Sequence, residues 1–217
     1  HQMLVRRGVL VASVDNRGTG ARGRDFERQV YLRLGQLEAA DQVAAARRLA
    51  EEPYVDARHV GVWGWSYGGY VALMTALASD GFVGAAVAVA PVTDWRFYDT
   101  AYTERFMRRP AENPEGYRLG SAVEQADRLR SDLLLVHGTG DDNVHPQHTT
   151  VLADALIEAG RPFEMALYPN RTHSISGQAS RVHLFERITD YLLERLVTEP
   201  ETEAVRLPSR LGGLFPE

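Results

Sequence analysis

Apolar and polar positions along the chain fall into two alternating rhythms. Short, nearly continuous apolar runs cover residues 9–15, 60–63, 83–89, 133–136 and 163–168. Each runs directly into Gly, Ala-Pro, His-Gly, Pro or Asp-Asn. Runs of that length, apolar throughout, predict strands buried on both faces, as in a parallel sheet. Between them the period changes to that of a helix. Residues 37–49 carry Leu37, Ala40, Ala44 and Leu49 on one side and stop at Glu51-Glu52-Pro53. Further helices are predicted over 70–78, 100–107, 147–159 and 182–196. Strands alternating with helices predict an α/β fold: a mainly parallel sheet with helices on both faces.

Two stretches stand outside this rhythm. Residues 92–130 are irregular and rich in aromatics, Arg and Pro, and read as an excursion between strands. Residues 198–217 carry Pro200, Pro208 and Pro216 among charges and close on Leu211-Gly212-Gly213-Leu214-Phe215. They read as a C-terminal extension, either docked or plainly disordered. The organisation is therefore one domain over 1–197 and an extension over 198–217.

Composition narrows the chemistry. At 217 residues the chain builds one full hydrophobic core, and a net charge of -5 gives no basic footprint for nucleic acid. No apolar run reaches membrane-spanning length, and the opening His1-Gln2-Met3-Leu4-Val5-Arg6-Arg7 has no secretory pattern. The compartment stays open between cytoplasmic and exported. No cysteine is present, which removes disulfides, thiolate metal sites and a cysteine nucleophile. All 24 basic residues are arginine, so Schiff-base chemistry and a Walker lysine are also excluded. No cofactor and no metal is called for.

Candidate chemistry sits at the ends of the predicted strands. Gly64-Trp65-Ser66-Tyr67-Gly68 follows the 60–63 run and precedes a helix, which makes G-x-S-x-G a nucleophile elbow. Without Cβ atoms at Gly64 and Gly68, strand and helix can approach closely around a strained serine. The Tyr67 N–H at the helix start faces a developing oxyanion. After 133–136 comes His137-Gly138-Thr139-Gly140-Asp141-Asp142-Asn143-Val144-His145, and after 163–168 comes Pro169-Asn170-Arg171-Thr172-His173. Loops at the carboxyl ends of parallel strands share one side of the sheet. The order Ser…Asp…His is that of α/β-hydrolases. Ser66 needs a base, His173 can be that base, and a carboxylate must orient it. Asp141 and Asp142 both fit, and spacing does not separate them.

Other residues read more plainly. His137 reads as a structural, hydrogen-bonding histidine. His145 and His148 flank Pro146 without a third ligand and read as surface or loop residues. His59 and His183 lack supporting context. Asp15 and Asp94 end apolar runs without completing the order. The loop Asp15-Asn16-Arg17-Gly18-Thr19-Gly20 reads as a crossing over the sheet end, not a phosphate cradle.

Gly64-Trp65-Ser66-Tyr67-Gly68-Gly69-Tyr70, the run His137 to His145, and Tyr168-Pro169 to His173 resemble the catalytic domain of the prolyl oligopeptidase family (serine peptidase family S9). Within it they most resemble the dipeptidyl-peptidase-IV branch. The likeness covers residues 9–196 and includes Val14-Asp15-Asn16-Arg17-Gly18, Ala90-Pro91-Val92-Thr93-Asp94-Trp95, Tyr98-Asp99 and Tyr102-Thr103-Glu104-Arg105. It implies an α/β-hydrolase fold whose first strands lie before His1. It implies Ser66 as nucleophile, Asp141 as acid, His173 as base and the Tyr67 N–H as oxyanion donor. Tyr67, Val92, Trp95, Tyr98, Tyr102 and Val144 would enclose the residue before the cut bond, and Asn143 would bond the neighbouring substrate carbonyl.

The resemblance also implies an N-terminal β-propeller with an acidic pair for the substrate's amino terminus. A tyrosine hydroxyl before His1 would be the second oxyanion donor, and the protein would be a homodimer. The implied activity is release of dipeptides after proline or alanine through an acyl-Ser66 intermediate, with a peptide as the partner. Two alternatives stand beside it: a carboxylesterase of the same fold, and an inactive fragment serving as an interaction module.

Overall fold

A computed structural model describes residues 1–197. The predicted extension over 198–217 lies outside the described residues. Four strands, β1 (Gly61–Trp65), β2 (Ala85–Val89), β3 (Asp132–Gly138) and β4 (Glu164–Tyr168), form one sheet in the order β1-β2-β3-β4. Every neighbouring pair is parallel, with Trp65 opposite Val89, Val89 opposite Val136, and Gly138 opposite Tyr168. All carboxyl ends therefore lie along one rim.

The helices are α1 (Gln2–Val5), α2 (Arg24–Glu27), α3 (Gln36–Ala50), α4 (Tyr67–Ala78), α5 (Thr100–Met107), α6 (Pro114–Leu119), α7 (Gln147–Glu158) and α8 (Gln178–Leu196). Alternation along the strands divides the core in two. Ala86, Ala88, Leu133 and Leu135 face one layer, packed with Leu73 and Met74 of α4 and Leu152 and Leu156 of α7. Val87, Val89, Leu134 and Val136 face the other, packed with Leu184, Ile188 and Leu192 of α8 and Leu4 of α1. The connecting helices α4 and α7 share a layer, as right-handed crossovers stepping one way across a sheet require. This is the parallel sheet with helices on both faces that the strand and helix rhythm predicts.

Three expectations need correction. Residues 9–15 join no strand of the sheet among the described residues, and Leu10 is 55% exposed. A cavity of about 820 Å³ separates them from β1, with Val9, Val11 and Val14 on one side and Val62 and Trp63 on the other. A strand exists only through its ladder, and among the described residues no strand pairs with this run. The elbow helix starts at Tyr67, three residues before the predicted 70, with the Tyr70 N–H already bonded to the Ser66 carbonyl. The excursion over 92–130 is more ordered than its composition suggests. It holds α6, which starts with Pro114 in its first turn behind the Asn113 side chain that accepts the Gly116 N–H.

The layer assignment has a direct test. Leu135 is fully buried whereas Leu167 on β4 is 47% exposed. Leu135→Ala is expected to lower unfolding free energy by roughly 2–5 kcal/mol, and Leu167→Ala by less than about 1 kcal/mol. Urea denaturation followed by tryptophan fluorescence reads both.

Candidate active site

The site is built outward from a backbone turn. Between β1 and α4, Ser66 sits at φ 58° and ψ −120°. A non-glycine residue held there costs on the order of 1–3 kcal/mol. Flanking hydrogen bonds hold it: the Ser66 N–H donates to the Val89 carbonyl at 2.8 Å, and the Tyr70 N–H donates to the Ser66 carbonyl at 2.9 Å. A Cβ on Gly64 would collide with the Gly68 carbonyl, so strand and helix meet only because residue 64 is glycine. Gly68 differs, since a Cβ there would meet nothing within 4 Å. Of the two flanking glycines, only the first is demanded by packing. Ser66 stands at the helix N-cap without capping it, which leaves its hydroxyl free.

Two rim loops bring the other residues to that hydroxyl. The Thr139 N–H donates to Tyr168 O and the Gly140 N–H to Arg171 O, both at 3.0 Å, tying the β3 and β4 loops together. His173 Nε2 lies 2.8 Å from Ser66 Oγ. His173 Nδ1 lies 2.7 Å from Asp141 Oδ2. Asp141 is 4% exposed, while Asp142 is exposed to solvent. The pair that spacing leaves open is thus separated by geometry, with Asp141 on the histidine. Asp141 Oδ1 accepts the Asn143 and Val144 N–H groups, each at 3.0 Å. Burial works to raise this carboxyl. Donors from His137, His173 and Asn143 outweigh it and hold the group well below the usual carboxylate range.

Those charges fix the protons. An ionised carboxylate accepts only, so His173 Nδ1 carries hydrogen and Nε2 accepts from the Ser66 hydroxyl. The histidine loop is also fastened to the elbow: Trp65 Nε1–H donates to the His173 carbonyl at 3.0 Å.

Next to the elbow lies an aromatic cluster that includes Tyr67. Trp95 is 1% exposed and forms its centre. It stacks on Tyr102 at 5.8 Å and meets Tyr67, Tyr70 and Tyr98 at 5.8, 5.1 and 6.0 Å. Val92 and Val144 are buried, whereas Tyr67, Tyr98 and Tyr102 keep partly open faces. Asn143 is exposed, and its Oδ1 accepts the Tyr98 hydroxyl at 2.8 Å.

Four supporting residues escaped the sequence reading. Tyr70 is fully buried, and its hydroxyl proton is shared between the Leu34 and Gly120 carbonyls, each at 2.8 Å. Glu38 is buried and accepts the Tyr67 hydroxyl at 2.6 Å and the Gly35 N–H at 2.9 Å. Burial pushes the Glu38 carboxyl up, against those two donors. The run Gly35-Gln36-Leu37-Glu38 signals a helix start with a glutamate at its third position, though not the reach to Tyr67. Asp94, set aside as a strand end, is buried and grips Arg96 through Nε at 2.9 Å and Nη2 at 2.5 Å. Asp94 also accepts the Ser121 hydroxyl at 2.6 Å. This bidentate clamp brackets Trp95.

The fourth is His148, which corrects the reading of a surface or loop histidine. It lies in the first turn of α7, fully buried, and its Nδ1 accepts the Thr93 N–H at 3.1 Å. Burial, aided by nearby His137, pulls it down to about 4 from the ordinary 6.5. His145, by contrast, is exposed as expected.

A parallel sheet with a strained serine elbow and acid and base loops on one rim defines an α/β-hydrolase. Residues 1–198 match the model of the prolyl oligopeptidase family, and the chain belongs to that family. It is 43% identical over 197 residues to a probable dipeptidyl peptidase 4 of Aspergillus fumigatus, covering 88% of this chain and 26% of that protein. It is likewise 43% identical to mouse dipeptidyl peptidase 8, covering 89% and 22%. The crystal structure of Porphyromonas gingivalis dipeptidyl peptidase 4 superposes with a TM-score of 0.83 at 50% identity, over 84% of this chain and 26% of that one. The chain spans about a quarter of the length of these relatives.

Two outcomes follow from the site's construction. Gly64→Ala is expected to cost more than about 3 kcal/mol, whereas Gly68→Ala is tolerated or stabilises by up to about 1 kcal/mol through helix propensity. Chemical denaturation of the two variants reads the difference. For His148 the folded state binds its proton later than the unfolded chain. Its contribution is therefore full above pH 6.5 and is lost as pH falls through about 4. His148→Gln is expected to flatten the stability loss in that window, measured as thermal midpoint against pH.

Proposed function

We propose that the domain is the catalytic part of a serine peptidase that releases dipeptides after proline or alanine. Ser66 Oγ attacks the scissile carbonyl while His173 Nε2 takes its proton. Asp141 stabilises the resulting imidazolium, and the Tyr67 N–H at the start of α4 bonds the oxyanion. The tetrahedral intermediate collapses as His173 protonates the leaving amine. Water, deprotonated by the same histidine, then attacks the acyl-Ser66 ester and frees the enzyme.

One observation supports this reading above the others. Hydrogen bonds run unbroken from Ser66 Oγ to His173 at 2.8 Å and from His173 to Asp141 at 2.7 Å, with the serine held on a strained turn. Specificity rests on the pocket. A proline ring is compact, apolar and without an N–H, and suits the partly open faces of Tyr67, Tyr98 and Tyr102 around Trp95, with Val92 and Val144 behind. With Oδ1 engaged by Tyr98, the Asn143 amide N–H groups are left to donate to the substrate carbonyl. The names of the matched relatives, both dipeptidyl peptidases, favour this class over an ester substrate. The acidic pair for the substrate's amino terminus, a second oxyanion donor and a homodimer belong to the same proposal through the family resemblance.

The test uses the intact protein. Ser66→Ala is expected to lower turnover of a Gly-Pro chromogenic amide by about 10⁴–10⁶-fold. The free-amino Gly-Pro substrate is expected to outpace its acyl-blocked counterpart. Retained turnover in Ser66→Ala overturns the nucleophile assignment. Preference for the blocked amide overturns the dipeptidyl assignment, and ester turnover without amide turnover makes the protein a carboxylesterase.

A further inference from the structure

We propose that His137 is a positioning residue for Asp141, with its tautomer set by the Val144 carbonyl and supported by Thr149, so that the relay extends two residues beyond the aspartate. This rests on the Ser66–His173–Asp141 reading and adds residues to it. His137 is fully buried near the end of β3. Its Nε2 lies 2.8 Å from the Val144 carbonyl and 3.3 Å from Asp141 Oδ2. Its Nδ1 lies 2.7 Å from Thr149 Oγ1 in the first turn of α7.

The chemistry of the partners decides the protons. A backbone carbonyl only accepts, so Nε2 carries hydrogen. In the neutral ring Nδ1 is then an acceptor, and the Thr149 hydroxyl donates to it. The Nε2–H donates to Val144 O, with Asp141 Oδ2 3.3 Å from the same nitrogen. Asp141 therefore meets three hydrogen-bonded donors, two backbone N–H groups on Oδ1 and His173 on Oδ2, and a fourth, longer contact from the His137 N–H on Oδ2. It cannot rotate without breaking a bond, and its charge is spread over two imidazoles. His137 thereby limits how strongly Asp141 holds the proton on His173. Because its other acceptor is Val144 O, it also ties the relay to the pocket wall.

A residue that merely filled the end of β3 would change stability alone. A residue acting through Asp141 changes the acid limb of the pH profile, which reports the base. In the intact protein, His137→Leu removes one donor from Oδ2, so the carboxylate favours the imidazolium more strongly. The acid limb of kcat/KM for the Gly-Pro amide is expected to rise by about half a pH unit. Turnover is expected to fall on the order of tenfold with KM within about twofold. His137→Gln, which returns a side-chain N–H near Nε2, is expected to bring both back towards wild type.

Should His137→Leu not fold, Thr149→Val against Thr149→Ser decides. The valine is expected to move the limb the same way by a few tenths of a pH unit, roughly, through a weaker Nε2–H donor, and the serine to restore it. An unmoved limb in folded His137→Leu, or in Thr149→Val where the leucine variant does not fold, overturns the inference. Ser66→Ala in the same series separates the two failures. Retained turnover in that variant overturns the triad reading and this inference with it. Lost turnover with unmoved limbs overturns the role of His137 alone.

Discussion

The fold hangs on one turn. Ser66 at positive φ is unfavourable by itself, and it persists because β1 and α4 are both fastened around it. The fastening is specific. The serine N–H joins the β2 carbonyl of Val89, and its own carbonyl starts the helix by taking the Tyr70 N–H. Tyr70 then reaches the Leu34 and Gly120 carbonyls on two separate loops. A single strained residue thus connects the sheet, the first helical layer and the aromatic cluster around Trp95.

Buried carboxylates supply the second level of order. Asp141, Asp94 and Glu38 each face the same conflict, because burial opposes their charge. Their resolutions differ. Asp141 and Asp94 gain enough donors to stay ionised, one from two histidines and backbone N–H groups, the other from a bidentate arginine. Glu38 has only a tyrosine hydroxyl and one backbone N–H, and its carboxyl is raised. The charge count follows function of position. Asp141 stays ionised beside His173, and Asp94 is held by Arg96 next to Trp95. Glu38 needs only to orient Tyr67.

What the sequence reveals follows from how local each cause is. The helix over 100–107 is read to the residue, because Asp99 caps it by accepting the Tyr102 N–H and its apolar face repeats within a few positions. The rim loops and their order are legible for the same reason, since strand ends and turn residues are neighbours in the chain. The supporting shell is not. Glu38 lies 29 residues from Tyr67, and His148 lies 55 from Thr93, so no window links them. Residues 9–15 fail in the opposite way. Their pattern encodes burial on both faces, but a strand is a relation between two backbones, and among the described residues no strand pairs with them. Apolar alternation reports what a segment is suited for, and the ladder decides what it becomes.

The elbow motif shows where pattern stops and geometry begins. In G-x-S-x-G the two glycines look equivalent, and both are read as making room for a tight turn. They carry different loads. At residue 64 an added Cβ meets the helix backbone, a contact that cannot yield because the carbonyl of Gly68 is fixed in the first turn of α4. At residue 68 the same atom meets open space. The true partner of Gly64 in close packing is Gly69, whose Cβ would come within 2.8 Å of the Val89 carbonyl that already holds the serine. The constraint therefore runs 64–66–69, from strand to serine to helix to neighbouring strand. The Cβ position of Gly68 stands outside it, facing open space. A glycine that packing does not require, in a helical first turn where alanine is favoured, leaves room beside the serine that the backbone itself does not use.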